Sequence, residues 1–309
     1  MEESKNNYKD LKVWYDGKIV NYSEANVPIL THSLQYGSGI FEGIRAYKTE
    51  KGRIIFRLKE HVKRFFESAK IMYMNLNFNE EEIYNAIIKI VKINDIDPCY
   101  IRPFAFYNTD QLGLSAYGKK TSVFIAAVPL GSYFGAGKDK GIKCKISSWH
   151  RINSNILSVR AKASGNYVNS LLGNYEAKYS GFDEAIFISD EGYVAEGSAE
   201  NIFIVKNNVL ITPNESSNIL YGITRDSIIK IAAALGIEIK ERAIHKDEIY
   251  TADELFFSGT AAEITPITEV DGIKIGNGKV GPLTKTISGK FFDVINGKDE
   301  VFNDWLTYV

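Results

Sequence analysis

Lys162 stands in Arg160-Ala161-Lys162-Ala163-Ser164-Gly165-Asn166-Tyr167, where small neighbours leave room for a planar ring and no adjacent carboxylate ties up the amine. A lysine amine forms an imine with a carbonyl once burial or a nearby cation lowers its proton affinity. Glu196, in Tyr193-Val194-Ala195-Glu196-Gly197-Ser198, ends a hairpin strand among residues too small to cover it. A carboxylate so placed can hold a pyridine nitrogen protonated, because an opposite charge within hydrogen-bond reach favours the cation. Leu220-Tyr221-Gly222-Ile223-Thr224-Arg225 sets a glycine before a helix start, whose free N–H groups and dipole suit a phosphate. Ser258-Gly259-Thr260-Ala261-Ala262 offers a hydroxyl-bearing turn, and Arg57 a bidentate positive charge. Imine lysine, pyridinium partner and phosphate anchor are the groups that pyridoxal phosphate requires. Taken singly, each has an ordinary alternative: a solvated lysine or arginine, a surface glutamate, Thr224 as a helix cap, Ser258-Gly259 as a turn.

Other chemistries find no support. Gly37, Gly39 and Gly43 have the wrong spacing for a dinucleotide turn, Gly137-Lys138 lacks the rest of a P-loop, and no GxSxG elbow occurs. The 309 residues carry 37 Lys plus Arg against 38 Asp plus Glu, a formal charge of −1. No basic footprint for nucleic acid or an anionic membrane is present, so a small-molecule partner is expected. Cys99 and Cys144 form no CxxC pair, and His32, His61, His150 and His245 show no HxxxH spacing, which predicts a reducing compartment and no metal site. Residues 1–7 are polar, and no apolar run nears the ~18 residues that cross a bilayer. A soluble, cytoplasmic protein is expected.

The elements that must position these groups read as α+β in two domains. Val13 to Val20 is a hairpin turning on Asp16-Gly17. Helical spacing follows from Leu58 through Val62, Phe65, Phe66 and Ala69, and a second helix is predicted where Asn79 caps and Glu82 reciprocates before Ile83, Ala86, Ile87 and Ile90. Tyr100 to Phe106 and Thr121 to Val128 are strands, and periodicity is lost from Pro129 to Gly137. The domains are therefore placed at 1–130 and 141–309, with 131–140 as the connecting loop. The second half predicts a strand at Ile142 to Ser147, an irregular stretch to Gly165, a helix from Asn166 to Tyr179, strands at 185–188, 193–196, 201–205 and 209–212, and a helix after Thr224.

In this order, the segments Tyr36 to Arg45, Phe56-Arg57-Leu58, Tyr100-Ile101-Arg102-Pro103, Ala161 to Tyr167, Glu196 to Asn201, Gly222 to Asp226 and Ser258 to Glu263 resemble the class IV pyridoxal-phosphate enzymes, closest to the branched-chain aminotransferases. The resemblance spans nearly the whole chain. It implies fold type IV, a small α+β domain followed by a larger one of pseudo-barrel character, and a homodimer or higher homo-oligomer. Lys162 would be the imine lysine, Glu196 the pyridine partner and Tyr167 the partner of the ring hydroxyl. Arg57, Thr224, Thr260 and the N–H of Ile223 would hold the phosphate, with Leu220 packed on the ring. Two departures stand out: Ser164 replaces a glycine common in relatives, and Ile152 to Arg160 lacks their prolines.

The Tyr100-Ile101-Arg102 segment looks like the branched-chain enzymes' substrate-side motif. One pocket must take an apolar side chain in one half-reaction and the carboxylate of glutamate in the other. Tyr36, Phe41 and Tyr133 suit the first and Arg102 the second. The resemblance implies Tyr100, Gly43 and the Thr260-Ala261 N–H groups on the substrate side. The expected reaction moves the amino group of leucine, isoleucine or valine to 2-oxoglutarate by ping-pong turnover. D-amino-acid or (R)-amine aminotransferases and aminodeoxychorismate lyase use Lys162 and Glu196 alike. A carrier that binds pyridoxal phosphate without turnover belongs to a different class; the intact lysine–glutamate pair speaks against it.

Overall fold

The computed structural model describes residues 8–109, 112–131, 133–135 and 140–309; the polar stretch 1–7 and positions 132 and 136–139 of the predicted connection lie outside them. The chain divides into two compact units. The first comprises Met1–Gly131, Ala161–Gly165 and Ile295–Val309, and the second Ser132–Arg160 and Asn166–Val294. The segment carrying Lys162 thus belongs to the first unit, although its neighbours in sequence belong to the second.

The first unit is built on β1 (Lys12–Tyr15), β2 (Lys18–Asn21), β3 (Ile40–Phe41), β4 (Ile44–Thr49), β5 (Gly52–Phe56), β6 (Cys99–Tyr107), β7 (Thr121–Pro129) and β17 (Leu306–Tyr308). Their order is β17-β5-β4-β6-β7-β1-β2, with β3 paired to β6. The Asp16-Gly17 turn takes φ 45° and 87°, the positive values a tight hairpin needs. Helix α1 is His32–Tyr36, α2 is Leu58–Ile71 and α3 is Glu80–Asn94. The predicted capping box is present: Glu82 N donates to Asn79 Oδ1 at 2.9 Å and Asn79 N to Glu82 Oε2 at 2.8 Å. Leu58, Val62, Phe65 and Ala69 of α2 and Ile83, Ile87 and Ile90 of α3 share one core with Ile44, Ile101, Ile125, Ala161 and Ala163.

The second unit holds β8 (Ile142–Ile146), β9 (Glu184–Ile188), β10 (Val194–Gly197), β11 (Asn201–Lys206), β12 (Val209–Thr212), β13 (Ile239–Glu241), β14 (Glu254–Gly259), β15 (Glu263–Val270) and β16 (Ile273–Lys274). The pairing runs β10-β9-β8-β15-β14-β11, and β10 pairs back with β11, so six strands close into a ring. The pseudo-barrel character is explicit in that closure, which occurs at the pair Glu196↔Asn201. Helices α4 (Tyr167–Tyr179), α5 (Ile223–Ala234), α6 (Lys246–Thr251) and α7 (Pro282–Ile295) complete the described elements. Strands β9 and β10 are buried at every position, as expected for strands covered on both faces.

Candidate active site

In the first unit, Ala161 and Ala163 are each 2% exposed and anchor the segment in the core, while Lys162 between them is half-buried. Backbone bonds fix its register. Lys162 N donates to Ser68 Oγ of α2 at 3.1 Å, and Phe41 N donates to Lys162 O at 3.0 Å. Ser164 N donates to Gly39 O at 2.8 Å and Gly165 N to Gly37 O at 2.9 Å. The Ser164 hydroxyl donates to Gly37 O at 2.8 Å and accepts from Gly39 N at 3.1 Å. The departure at Ser164 therefore adds side-chain bonds to the loop before Phe41. Lys162 Nζ lies 5.0 Å from the Phe41 ring centroid.

Phe41, Gly43, Tyr100 and Arg102 gather on the same sheet. The Arg102 guanidinium carbon is 4.4 Å from the Phe41 centroid and 5.2 Å from that of Tyr100, and Nη2 donates to Tyr100 Oη at 3.0 Å. Arg102 Nε is buried without a hydrogen-bond partner. A Cβ at Gly43 would meet Tyr100 Oη at 2.1 Å, so any larger residue there displaces the Tyr100 ring. Tyr36 ends α1 and is half-exposed, 4.6 Å centroid to centroid from His32.

Beneath this face lies a fully buried ionic network. Glu42 accepts from His61 Nδ1 at 2.7 Å and from Arg64 Nε at 2.6 Å and Nη2 at 2.9 Å. Burial pushes the Glu42 carboxyl up, but Arg64 and His61 outweigh it and hold the group well below the usual carboxylate range. Burial also pushes the His61 imidazole down against the pull of Glu42, with Arg64 and Lys162 adding to the fall. His61 is thereby kept neutral, with Nδ1–H donating to the carboxylate.

Arg57 precedes α2 with φ 52°, a left-handed backbone unusual outside glycine. The strain is held from the C-terminal segment: Arg57 N donates to Trp305 O at 2.7 Å, and the guanidinium carbon stands 4.7 Å from the Trp305 ring centroid. Glu60 accepts from Arg57 Nε at 2.5 Å. Arg57 is 4% exposed, so it is not a solvated charge.

In the second unit, Glu196 is 5% exposed, which rules out the surface reading. Its Oε1 accepts from Arg151 Nε at 2.9 Å, and Oε2 accepts from Asn201 Nδ2 at 3.0 Å and Leu220 N at 3.1 Å. Asn201 Nδ2 also donates to Leu220 O at 2.9 Å, which ties the loop before α5 to the ring of strands. Helix α5 begins at Ile223 with Gly222 as its cap, and no side chain caps it. Thr224 is therefore one residue inside the helix, not its cap, and both Ile223 and Thr224 are buried. A Cβ on Gly222 would meet Asn201 Oδ1 at 1.9 Å.

Thr260 and Ala261 are half-buried in the tight connection from β14 to β15, where Gly259 pairs with Glu263. Ser258 Oγ beside them is buried without a hydrogen-bond partner. Tyr167 opens α4 and is half-buried. Tyr133 is half-exposed and meets Phe134 edge-on.

The sequence profile of the amino-transferase class IV family matches residues 39–270. The chain belongs to the class IV aminotransferases. It is 47% identical over 302 residues to the branched-chain-amino-acid aminotransferase of Pseudomonas aeruginosa, covering 97% of this chain and 98% of the relative. The crystal structure of the Escherichia coli branched-chain amino acid aminotransferase superposes with a TM-score of 0.94 at 43% identity, over 96% of this chain and 99% of that one. The T.th. enzyme of the same name, complexed with N-(5'-phosphopyridoxyl)-L-glutamate, gives a TM-score of 0.92 at 42% identity, over 97% and 99%. The same enzyme is also known complexed with 4-methylvaleric acid. Within the class, the chain belongs to the branched-chain-amino-acid aminotransferases, and its two-unit α+β architecture is that of fold type IV.

For a class IV aminotransferase, the donor set fits pyridoxal phosphate. Within the second unit, the uncapped start of α5 and the orphaned Ser258 hydroxyl are groups that suit a phosphate, and the buried Glu196 carboxylate one that suits a pyridine nitrogen; within the first unit, Lys162 offers an amine. Sequence reasoning missed Arg151, Asn201, Ser68, the Glu42–His61–Arg64 network and Trp305. A signal existed for His61 and Arg64, which interrupt the apolar face of α2. None existed for Trp305, 248 positions from Arg57 in a chain of 309.

Proposed function

We propose that this protein transfers the amino group of leucine, isoleucine or valine to 2-oxoglutarate, giving branched-chain 2-oxo acids and glutamate. The observation that carries the reading is the cluster of Phe41, Tyr100 and Arg102: an aromatic wall with a guanidinium lying across it and one buried N–H unsatisfied. Apolar substrate side chains pack on Phe41, Tyr36 and Tyr133, and the second carboxylate of glutamate pairs with Arg102. Tyr100, Gly43 and the Thr260-Ala261 N–H groups hold the remaining substrate contacts.

When bound, pyridoxal phosphate supplies the electron sink that stabilises a carbanion at the substrate Cα and stores the amino group between half-reactions. Lys162 would hold the cofactor through its amine, and its Nζ would serve as the general base for the substrate Cα proton. Glu196 would hold the ring nitrogen through a charge-assisted hydrogen bond, Tyr167 would partner the ring hydroxyl, and Leu220 would pack on the ring. Arg57, Thr224, Thr260 and the N–H of Ile223 would bind the phosphate. Segment 131–140 connects the domains.

The protein acts as a homodimer or an assembly of dimers. The first unit exposes Val27, Ile29, Leu30, Leu34, Leu114 and Tyr117, and His32 Nε2 meets Leu114 O at 3.0 Å, bringing the two stretches together. An apolar surface of this kind marks an association face. Among the described residues no helix is long and apolar enough to cross a membrane. Both cysteines are free and buried, in keeping with a cytoplasmic location.

Glutamate formation from leucine and 2-oxoglutarate, with D-alanine and an (R)-amine as controls, tests the reading. Parallel-line kinetics and glutamate from leucine are expected. Turnover of D-alanine or the (R)-amine alone would replace it with a rival of the same fold, and no turnover would point to a carrier. Lys162→Ala is expected to lose both turnover and the visible absorption of the bound cofactor; multiple turnover in that variant would sink the assignment.

A further inference from the structure

Glu196 is held by a cation that no part of the proposed reaction uses. Arg151 Nε reaches Glu196 Oε1 at 2.9 Å, with the two side chains 7% and 6% exposed. Charges withdrawn from water this far stabilise one another only where further hydrogen bonds satisfy them. Both partners meet that condition. Asn201 Nδ2 and Leu220 N donate to Glu196 Oε2, while Arg151 Nη1 donates to Asn169 Oδ1 at 3.2 Å. Asn169, on α4, is itself fixed, accepting from Ile152 N at 3.2 Å and donating to His150 O at 2.9 Å. The guanidinium is thus oriented from behind and the carboxylate from three sides.

We infer that Arg151 is a positioning residue for Glu196: its charge keeps the buried carboxylate ionised and aimed, so that the proton shared with the cofactor's pyridine ring rests on the ring nitrogen. This deepens the proposed function and rests on the role given there to Glu196. A buried carboxylate deprived of its cation escapes the cost of its charge by taking up a proton. In this site that proton is withdrawn from the ring, and the electron sink weakens. Arginine suits the task because its charge is permanent and its planar fork is preorganised; a lysine in the same ion pair keeps its proton because the adjacent carboxylate favours the charged form.

The test is nitrogen NMR of holoenzyme loaded with pyridoxal phosphate isotopically labelled at the ring nitrogen. The wild-type ring is expected to read as pyridinium, and Glu196→Gln to move it toward neutral pyridine. Arg151→Gln is expected to move it the same way and to weaken cofactor binding by about tenfold or more, because a buried charge has lost its partner. Arg151→Lys keeps the charge and should retain the pyridinium signal. A pyridinium signal in Arg151→Gln, with Glu196→Gln shifted, overturns the inference and leaves the proposed function standing. An unshifted signal in Glu196→Gln overturns the role of Glu196 itself. Should Arg151→Gln fail to fold, Arg151→Lys decides: a neutral pyridine there overturns the inference.

Discussion

At His61, one imbalance of protons sets how the first unit answers to acid. The imidazole is 1% exposed and its proton affinity is pushed down by burial, while an unfolded histidine titrates near pH 6.5. Below that value the unfolded chain binds a proton that the folded chain refuses, so stability falls with pH until the folded group also titrates. Above it this contribution is complete. Glu42 acts in the same direction but much further into acid, since its folded carboxyl is depressed. The melting temperature is therefore expected to drop from about pH 7 to about pH 5.5, at up to about 1.4 kcal/mol of stability per pH unit. In His61→Gln this slope should disappear; an equal slope in the variant would assign the acid sensitivity elsewhere.

Among the elements, α5 and the β10–β11 junction depend on one another through Gly222. A methyl group there collides with Asn201 Oδ1, and Asn201 cannot move without releasing Glu196 and Leu220 O. Gly222→Ala is expected to cost about 1–3 kcal/mol, the worth of those two hydrogen bonds, and to weaken cofactor binding. Urea unfolding and a binding titration check both, and an unchanged midpoint would show that the loop relaxes freely. What could be read from sequence was local. The Asn79–Glu82 cap, the Asp16-Gly17 turn and the α2 periodicity each lie within a few residues, and all are present. The strand holding Glu196 was legible for the same reason, but its burial was not: Arg151 and Leu220 approach it from 45 positions before and 24 after. The ordinary alternative for Thr224, a helix cap, fails because Gly222 takes the cap position and leaves that start open. The seven motifs were recognisable as a set, while their support from Ser68, Asn201 and Trp305 is spread over pairings that no local pattern records.

On the scale of the whole chain, the first unit is assembled from three separated pieces: 1–131, 161–165 and 295–309. Its last strand, β17, pairs with β5 through Leu306↔Phe56, Thr307↔Ile55 and Tyr308↔Ile54, immediately before Arg57. Deleting residues 303–309 should release Arg57 from its left-handed conformation. Hydrogen exchange is expected to rise in β5 and at the start of α2, and pyridoxal phosphate to bind more weakly; full protection of β5 in the truncated chain would refute this. The same arrangement bears on synthesis. A ribosome adds about 5–20 residues per second, so the opening 131 residues emerge long before their closing strand. During that interval, β5 presents an unpaired edge and Arg57 lacks the Trp305 carbonyl and ring that it meets in the folded protein. The newborn first half is thus an open sheet until β17 arrives, and its free β5 edge is a template on which other extended chain can pair.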